Sequence, residues 1–203
     1  MMSFSTSLIL ASGSSARRML LENAGLTVQA RPVDLDEEAL RRSCEAQGQT
    51  LSETAIALAD AKANLATRDL GFEDLTVAAD QILDLDGVAF AKPDSVAEAE
   101  EHLRRLRGRT HVLRTAVVLY KGGEKIWEHL ASPRLTMRAF SEAFLEAYLE
   151  REGAAILSCV GAYRLEGPGI QLFSAVDGTQ DAVLGLPLLP LLEELRRLKA
   201  ISA

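Results

Sequence analysis

Cysteine is scarce in this chain, which contains only Cys44 and Cys159. The two lie far apart and not in the CxxC spacing typical of zinc sites, so reduced thiols are the default expectation. Long apolar runs are also missing, because no stretch approaches the ~20 residues needed to span a bilayer. The first residues lack the basic segment and the apolar run of a signal peptide. We therefore expect a cytoplasmic protein.

Basic residues are in the minority, with 22 Lys and Arg against 29 Asp and Glu and a formal net charge of −7. This balance argues against a general binder of nucleic-acid backbones, which needs a basic surface. The 203 residues, of which 48% are hydrophobic, suffice for one domain or for two small lobes that share a sheet. No repeat or linker divides the sequence, so we expect a single two-lobed domain over residues 1–203.

Two common catalytic patterns are absent. There is no glycine-lysine loop of the Walker type, which disfavours an ATP-driven motor or a kinase. A Ser-His-Asp arrangement is not indicated either. The histidines His102, His111 and His129 fall on a charged helix and in a long hairpin, where we expect solvated or packing roles.

The most informative segment is residues 8–21. Apolar residues 8–11 predict a buried strand, and the small polar residues 12–15 predict a turn that caps a helix. Arg17 and Arg18 then fall in the first helical turn, where the partial positive charge of the helix disfavours cations. A bound anion would explain them, because backbone N–H groups, hydroxyls and guanidiniums would converge on it. Two solvated arginines on a surface helix are the alternative.

Charged residues at two further helices are ambiguous. Asp36 and Glu37 open a predicted helix, where acids commonly complement the helix dipole. The capping box at Thr50 and Glu53 starts an alanine-rich helix that runs to about residue 67. Lys62 lies on the apolar stripe of that helix, so its side chain either reaches out to water or points into a cleft.

Asp80 follows a predicted buried strand over residues 75–79. A carboxylate at the carboxyl end of such a strand lies where open α/β sheets bind ligands. A hairpin over 82–90 is predicted next, and Lys92 is held extended by the proline after it. Glu166 falls in a glycine-rich loop, residues 161–169.

The remaining pattern predicts a mixed sheet. Residues 110–120 and 125–137 are expected to form a long antiparallel pair, followed by a helix over 141–151. Residues 170–176 are expected to form a strand, and Pro187 to be the first residue of the last helix.

The residues that local structure does not explain are these: Ser12, Arg17, Arg18, Lys62, Asp80, Lys92 and Glu166. Several cations and a hydroxyl in an acidic protein suggest a polyphosphate site. Asp80, with Asp36 and Glu37, would suit a divalent ion, because magnesium takes one or two carboxylates plus substrate phosphate oxygens.

Several segments then carry a family resemblance: LILASGSSARRMLL, the pair Asp36-Glu37, the AxxKA of residues 59–63, AADQ with Asp80, GVAFAKP with Lys92, GRTHVLRTAVVL, GAYRLEGPGIQLF and GLPLLPLL. Together they resemble the Maf family of house-cleaning nucleoside triphosphate pyrophosphatases. The resemblance runs from about residue 8 to residue 192, and the order and spacing of the segments are far more specific than any one segment.

The resemblance implies an α/β, Maf/ITPase-like two-lobed fold around a mixed twisted sheet, with the active site in a central cleft. It also implies hydrolysis between the α- and β-phosphates, assisted by a divalent metal cation such as Mg or Mn. Ser12, Arg17, Lys62 and Lys92 match phosphate-binding positions, Asp80 the proposed general base, and Glu37 an acid associated with the metal. Many members have an arginine at the position where this chain has Ala16. The part that this arginine takes in phosphate binding falls here to Arg17 or Arg18, or is absent.

Two positions bear on the base of the substrate. Gln81 and Glu166 stand where the dTTP/UTP-directed branch usually has threonine and glutamine. An ionised glutamate only accepts hydrogen bonds, so its oxygens suit N1–H and the amine of guanine, and its charge suits N7-methylated guanine. The pair resembles the branch that hydrolyses 7-methyl-GTP, although Glu166 is also compatible with ordering a turn. Trp127 either stacks on a methylated base or packs in the core or an interface.

The interpretation is therefore a 7-methyl-GTP pyrophosphatase that binds neither nucleic acid nor membrane. A dTTP/UTP pyrophosphatase of the same family is the first alternative. The second is a nucleotide-binding regulator of septum formation that acts through a protein partner. A homodimer formed through the long hairpin or the apolar residues 186–192 stays open.

Overall fold

The protein is a mixed α/β structure, as predicted, in a computed structural model that describes residues 8–68, 71 and 74–202. Its strands in this part of the chain are β1 (Leu8–Leu10), β2 (Val28–Ala30), β3 (Leu75–Leu85), β4 (Val88–Phe90), β5 (Thr110–Lys121), β6 (Glu124–Ala131), β7 (Arg134–Met137) and β8 (Phe173–Asp177). Its helices there are α1 (Ser15–Asn23), α2 (Glu37–Ala46), α3 (Leu51–Thr67), α4 (Val96–Leu106), α5 (Glu142–Glu152), α6 (Gln180–Val183) and α7 (Leu188–Arg197).

The strands pair in both directions, so the predicted mixed sheet is confirmed. The main strand order is β2-β1-β3-β5-β7-β8, with β4 paired to β3 and β6 paired to β5. Strand β1 is parallel to both β2 and β3. The pairs β3–β4, β5–β6, β5–β7 and β7–β8 are antiparallel.

The chain divides into two compact units. Unit 1 comprises the chain up to Asp80, residues 115–131 and the chain from Gln180 onward, while unit 2 comprises residues 81–114 and 132–179. Strands β3 and β5 each contribute to both units. Unit 1 has an aliphatic core that includes Leu10, Leu21 and Leu186, which are fully buried. The expectation of a single domain with a central cleft stays a prediction.

The first strand, turn and helix form as predicted. Leu10 ends β1 in the core, and Ser14 caps α1 by accepting a hydrogen bond from the backbone N–H of Arg17 at 3.3 Å. Asp36 caps α2 in the same way, and the capping box at Thr50 starts α3. Side chains that satisfy the first N–H groups of a helix fix where it begins.

The prediction that Asp80 ends a strand is wrong, because β3 continues to Leu85. Strand β1 pairs with β3 only as far as Leu10 opposite Val77, while the later part of β3 pairs with β4 from Leu83 onward. Asp80 therefore lies within β3, just beyond the point where β1 stops. The neighbouring hairpin also extends the strand, since its pairing satisfies the backbone of residues 83–85.

Three other boundaries also differ from the predictions. The returning strand expected over 125–137 is divided into β6 and β7 around Pro133, which has no N–H to donate to a ladder. The strand expected from residue 170 starts at Phe173, because Pro168–Leu172 forms a 3-10 turn. Pro187 is the N-cap of α7 rather than its first residue.

Within the described residues, no helix is both long and apolar enough to cross a lipid bilayer.

His111 is fully buried in unit 2, which is the packing role expected for it. Its Nε2 lies 2.8 Å from the hydroxyl of Tyr163. Burial lowers the pKa of His111 from 6.5 to about 4, because the buried site disfavours the charged imidazolium.

We predict that this histidine makes the protein less stable in mild acid. Its pKa is lower in the folded than in the unfolded state, so its contribution is complete above pH 6.5 and is lost progressively as the pH falls to about 4. Between pH 7 and pH 4, the free energy of unfolding of the wild type should fall by about 3 kcal/mol more than that of His111→Phe. Denaturant unfolding of both proteins between pH 7 and pH 4 measures it, and parallel pH profiles would contradict it.

Candidate active site

Lys62 connects two carboxylates in unit 1. Its side chain is 12% exposed, and its Nζ lies 2.6 Å from Oδ1 of Asp80 and 2.8 Å from Oε1 of Glu37. Helix α3 supplies the lysine, β3 supplies Asp80 and the first turn of α2 supplies Glu37. Of the two predicted orientations of Lys62, the structure therefore shows the inward one.

Asp80 retains an unused acceptor. The residue is 3% exposed, and its Oδ2 has no hydrogen-bond partner among the described residues. A buried carboxylate oxygen without a donor is costly, so such an atom marks a position where a ligand proton or a cation would be stabilised.

Arg17 is held beside this group by two acceptors. Its Nε donates to the carbonyl oxygen of Gly185 at 2.8 Å, and its Nη1 donates to Oγ of Ser12 at 3.3 Å. Gly185 has a φ of +96°, and a Cβ there would lie 3.2 Å from Nε of Arg17. A glycine at this position therefore leaves room for the guanidinium and adopts a backbone conformation that other residues disfavour.

The electrostatics place Arg17 in the same group as the two carboxylates. Burial lowers the pKa of Arg17, while the charges of Asp80 and Glu37 oppose that shift. An arginine stays protonated under such conditions. Unit 1 therefore brings together five of the predicted residues, which are Ser12, Arg17, Glu37, Lys62 and Asp80.

The structure does not bring Arg18 or Asp36 into this group. The guanidinium of Arg18 is exposed and pairs with Glu22 at 2.7 Å, one turn along α1. The carboxylate of Asp36 accepts from the backbone N–H of Ala39 at 2.9 Å, which is a helix-capping contact. Arg17 and Arg18 were the two candidates to replace the arginine that many family members have at position 16. Arg17 lies beside the carboxylates of the site and Arg18 does not, so Arg17 is the better candidate.

Sequence reasoning missed two residues of this site. Gly185 carried a helix-start signal, but nothing local indicated its contact with Arg17, which lies 168 positions away. Arg41 lies one turn after Glu37 on α2, with its Nη2 3.6 Å from Oε2 of that residue. Its Nε is buried and has no partner among the described residues. The four-residue spacing was the available signal for Arg41.

The other predicted site residues lie in unit 2. Gln81 is its first residue and is half-buried within β3, while Lys92 lies exposed between β4 and α4. Glu166 is at the tip of its loop, with Oε1 3.5 Å from Nε of Arg164. Burial raises the pKa of Cys159, and the charges of Glu166, which adds to the rise, and of Lys92, which opposes it, act on the same thiol.

A metal would need ligands from the substrate as well as the protein. No group of three or more His, Cys, Asp or Glu residues in the described chain is arranged to hold a metal ion. Two carboxylates, one with a buried unpaired oxygen, nevertheless fit Mg²⁺, which commonly takes one or two carboxylates and completes its shell with phosphate oxygens and water.

We predict that Lys62→Met lowers the free energy of unfolding by about 3 kcal/mol, because it leaves the buried charge of Asp80 uncompensated. Lys125→Met is the matched control. Lys125 also joins two carboxylates at 2.8 Å, those of Asp60 and Glu128, but its side chain is 36% exposed. Its loss should cost less than about 1 kcal/mol. Equal losses in denaturant unfolding at pH 7 would contradict the buried role of Lys62.

Comparisons with known proteins find relatives that match nearly the whole chain. A nucleoside triphosphate pyrophosphatase of Gluconobacter oxydans (strain 621H) is 89% identical over 203 residues, the whole of both chains. A 7-methyl-GTP pyrophosphatase of Rhizobium meliloti (strain 1021) is 45% identical over 97% of this chain and 98% of its own.

Among solved structures, a HAM1 protein from Coxiella burnetii has 16% identity and a TM-score of 0.43, and the match covers 66% of this chain and 74% of that one. The family model described as Maf-like protein matches residues 7–198. The chain therefore belongs to the family of Maf-like proteins.

Proposed function

We propose that this protein is a nucleoside triphosphate pyrophosphatase that cleaves between the α- and β-phosphates, with 7-methyl-GTP as its preferred substrate. The observation that carries the proposal is the contact of Lys62 with both Asp80 and Glu37 beside the guanidinium of Arg17. Pyrophosphatase is also the name given to the relatives at 89% and 47% identity.

Cations and N–H groups of unit 1 would bind the triphosphate. Arg17 supplies a planar guanidinium that its contacts with Ser12 and Gly185 already orient, so little is lost in ordering it when a phosphate binds. The N-terminus of α1 adds a partial positive charge next to it. Lys92 is the further phosphate-binding residue that the family resemblance implies.

Asp80 would accept the proton of the attacking water. In this step the water oxygen bonds to the α-phosphorus, the bond to the bridging oxygen breaks, and that oxygen leaves with pyrophosphate. The proton passes to the carboxylate, for which the unpaired Oδ2 is the available atom. Lys62 orients this carboxylate by donating to its other oxygen, at 2.6 Å.

A divalent cation, Mg or Mn, is part of the proposal. Asp80 and Glu37 are the residues that would hold it, together with phosphate oxygens of the substrate. Its contribution when bound is to neutralise charge on the phosphates.

The preference for 7-methyl-GTP rests on Glu166, with Gln81 as the second residue that resembles that branch. The carboxylate can accept from both N1–H and the amine of guanine, and its charge attracts the cationic methylated base. The name of the Rhizobium meliloti relative, at 45% identity, supports this preference, whereas that of the Gluconobacter oxydans relative specifies no base.

The activity itself is tested with Asp80→Asn. We predict monophosphate and pyrophosphate release by the wild-type protein and a loss of ~10²–10⁴ in kcat for the variant, as expected for a missing general base. Asp60→Asn is the control, because Asp60 also accepts from a lysine, Lys125, but lies outside the site.

The measurement is product release from 7-methyl-GTP, GTP, dTTP and UTP with magnesium, manganese or cobalt. Turnover of none of them would refute the enzyme, and tight nucleotide binding without product would favour the regulatory alternative. A preference for dTTP or UTP would favour the other branch of the family.

The role of Glu166 in selecting the base is tested with Glu166→Gln. We predict that kcat/KM for 7-methyl-GTP falls by roughly 10- to 100-fold, the size expected for hydrogen bonds to a charged group. The value for UTP should change less than about threefold, because uracil does not present that pair of donors. Glu100→Gln, which also removes an ion pair with an arginine in unit 2, should change neither value. Equal losses for the two substrates would show that Glu166 only orders its loop.

The expected cytoplasmic location and the homodimer stay predictions. The hairpin residue Trp127 packs against the core of unit 1 and stacks on His129, with ring centroids 5.9 Å apart, which is the packing alternative of the two roles considered for it.

A further inference from the structure

The loop that carries Glu166 has a tightly constrained backbone. Ala162 has a φ of +57°, which is unusual for a residue other than glycine. Farther along, a Cβ at Gly169 would lie 2.5 Å from the carbonyl oxygen of Arg164. The backbone at Gly169 therefore approaches that of Arg164 too closely for position 169 to carry a side chain. Strained backbone of this kind persists only where the surrounding structure holds it.

Tyr163 anchors this loop from below the surface. It is 5% exposed, and its hydroxyl lies 2.8 Å from Nε2 of His111 on β5. Its ring packs edge-on against Phe173 at a centroid distance of 4.8 Å. The other ring nitrogen of His111 has no hydrogen-bond partner among the described residues. Among the described residues, the contact with Tyr163 therefore satisfies Nε2 of this buried imidazole and leaves Nδ1 without a partner.

Tyr148 holds the residues on either side of Tyr163. This tyrosine of α5 is 3% exposed, and its hydroxyl donates to the carbonyl oxygen of Ala162 at 3.2 Å. Burial raises the pKa of Tyr148, and the backbone N–H of Arg164, which lies near its hydroxyl, opposes that shift. Two buried tyrosine hydroxyls thus connect consecutive residues of the loop to unit 2, Ala162 to α5 and Tyr163 to β5.

Glu166 lies just past this anchored segment. It follows Tyr163 by three residues, and its side chain is 33% exposed and contacts Arg164 at 3.5 Å. An exposed ion pair of that length does little to fix a carboxylate. The position of Glu166 is therefore set mainly by the backbone on which it stands.

We infer that the buried hydrogen bond between His111 and Tyr163 positions the Glu166 loop, and that these two residues determine base selectivity without touching the nucleotide. The inference rests on the proposed function, since it assigns Glu166 the reading of the guanine edge. A carboxylate that accepts from two donors of one base must be placed within a fraction of an ångström, which requires a rigid supporting contact.

Tyr163→Phe removes the hydroxyl and keeps the ring that packs on Phe173. We expect the ratio of kcat/KM for 7-methyl-GTP to that for UTP to fall by about fivefold or more, with kcat for UTP largely retained. Tyr120→Phe is the control. It removes a hydroxyl from a residue 4% exposed in unit 1, one that donates to Asp60 at 3.1 Å, and it should leave the ratio unchanged.

A second background separates positioning from general destabilisation. In a protein that already carries Glu166→Gln, adding Tyr163→Phe should leave the selectivity ratio where Glu166→Gln put it. A further fall of the same size in the double variant would overturn the inference, because the hydroxyl would then act independently of Glu166.

Amide hydrogen exchange of residues 161–170 tests the anchoring without any substrate. Exchange in this loop should be at least about tenfold faster in Tyr163→Phe than in the wild type, and unchanged in Tyr120→Phe. Unchanged exchange in Tyr163→Phe would overturn the inference even if the wild-type enzyme prefers 7-methyl-GTP. Faster exchange combined with a wild-type enzyme that shows no base preference would instead refute the proposed substrate, and with it the selectivity role assigned to the pair.

Discussion

A buried ion pair between Lys62 and Asp80, 2.6 Å long, constrains the rest of the site. Neither charge can be buried alone at acceptable cost, so the lysine of α3 and the carboxylate of β3 must approach each other when unit 1 folds. The same ammonium contacts Glu37, which brings the start of α2 to this point. One cation thereby fixes the mutual positions of a strand and two helices. It leaves one oxygen of Asp80 without a partner among the residues that the structure describes.

The site also depends on parts of the chain that are far apart. Arg17 extends from the first helix, yet its guanidinium is oriented by a carbonyl oxygen at Gly185 near the other end of the chain. The phosphate-binding chemistry proposed here belongs to unit 1, whereas the proposed base-reading residue belongs to unit 2. Rigidity has a different origin in each case: charges of opposite sign orient Lys62 and Asp80, and buried tyrosine hydroxyls support the loop of Glu166.

Local signals predicted the parts of the fold that local physics decides. The caps at Ser14 and Thr50, the mixed sheet and the hairpin after Asp80 follow from capping chemistry and apolar alternation. Strand ends were harder, because the extent of β3 depends on where its neighbours stop rather than on its own residues. Charge patterns indicated Lys62 and Asp80 as site residues, but they did not distinguish Arg17 from Arg18. The two arginines differ in their acceptors, because Arg17 donates to a carbonyl oxygen far along the chain and Arg18 to a neighbour on its own helix. The buried contact of His111 with Tyr163 had no sequence signal beyond two residues that suit a core.

The most direct measurement is a crystal structure of the protein with magnesium and a 7-methyl-GTP analogue whose α–β bridging oxygen is replaced by an imido group. We expect phosphate oxygens in contact with the side chains of Arg17 and Lys62, and the carboxylate of Asp80 facing the α-phosphorus. A nucleotide bound elsewhere, with the contacts of Lys62 to Asp80 and Glu37 unchanged and Arg17 free of phosphate, would contradict it.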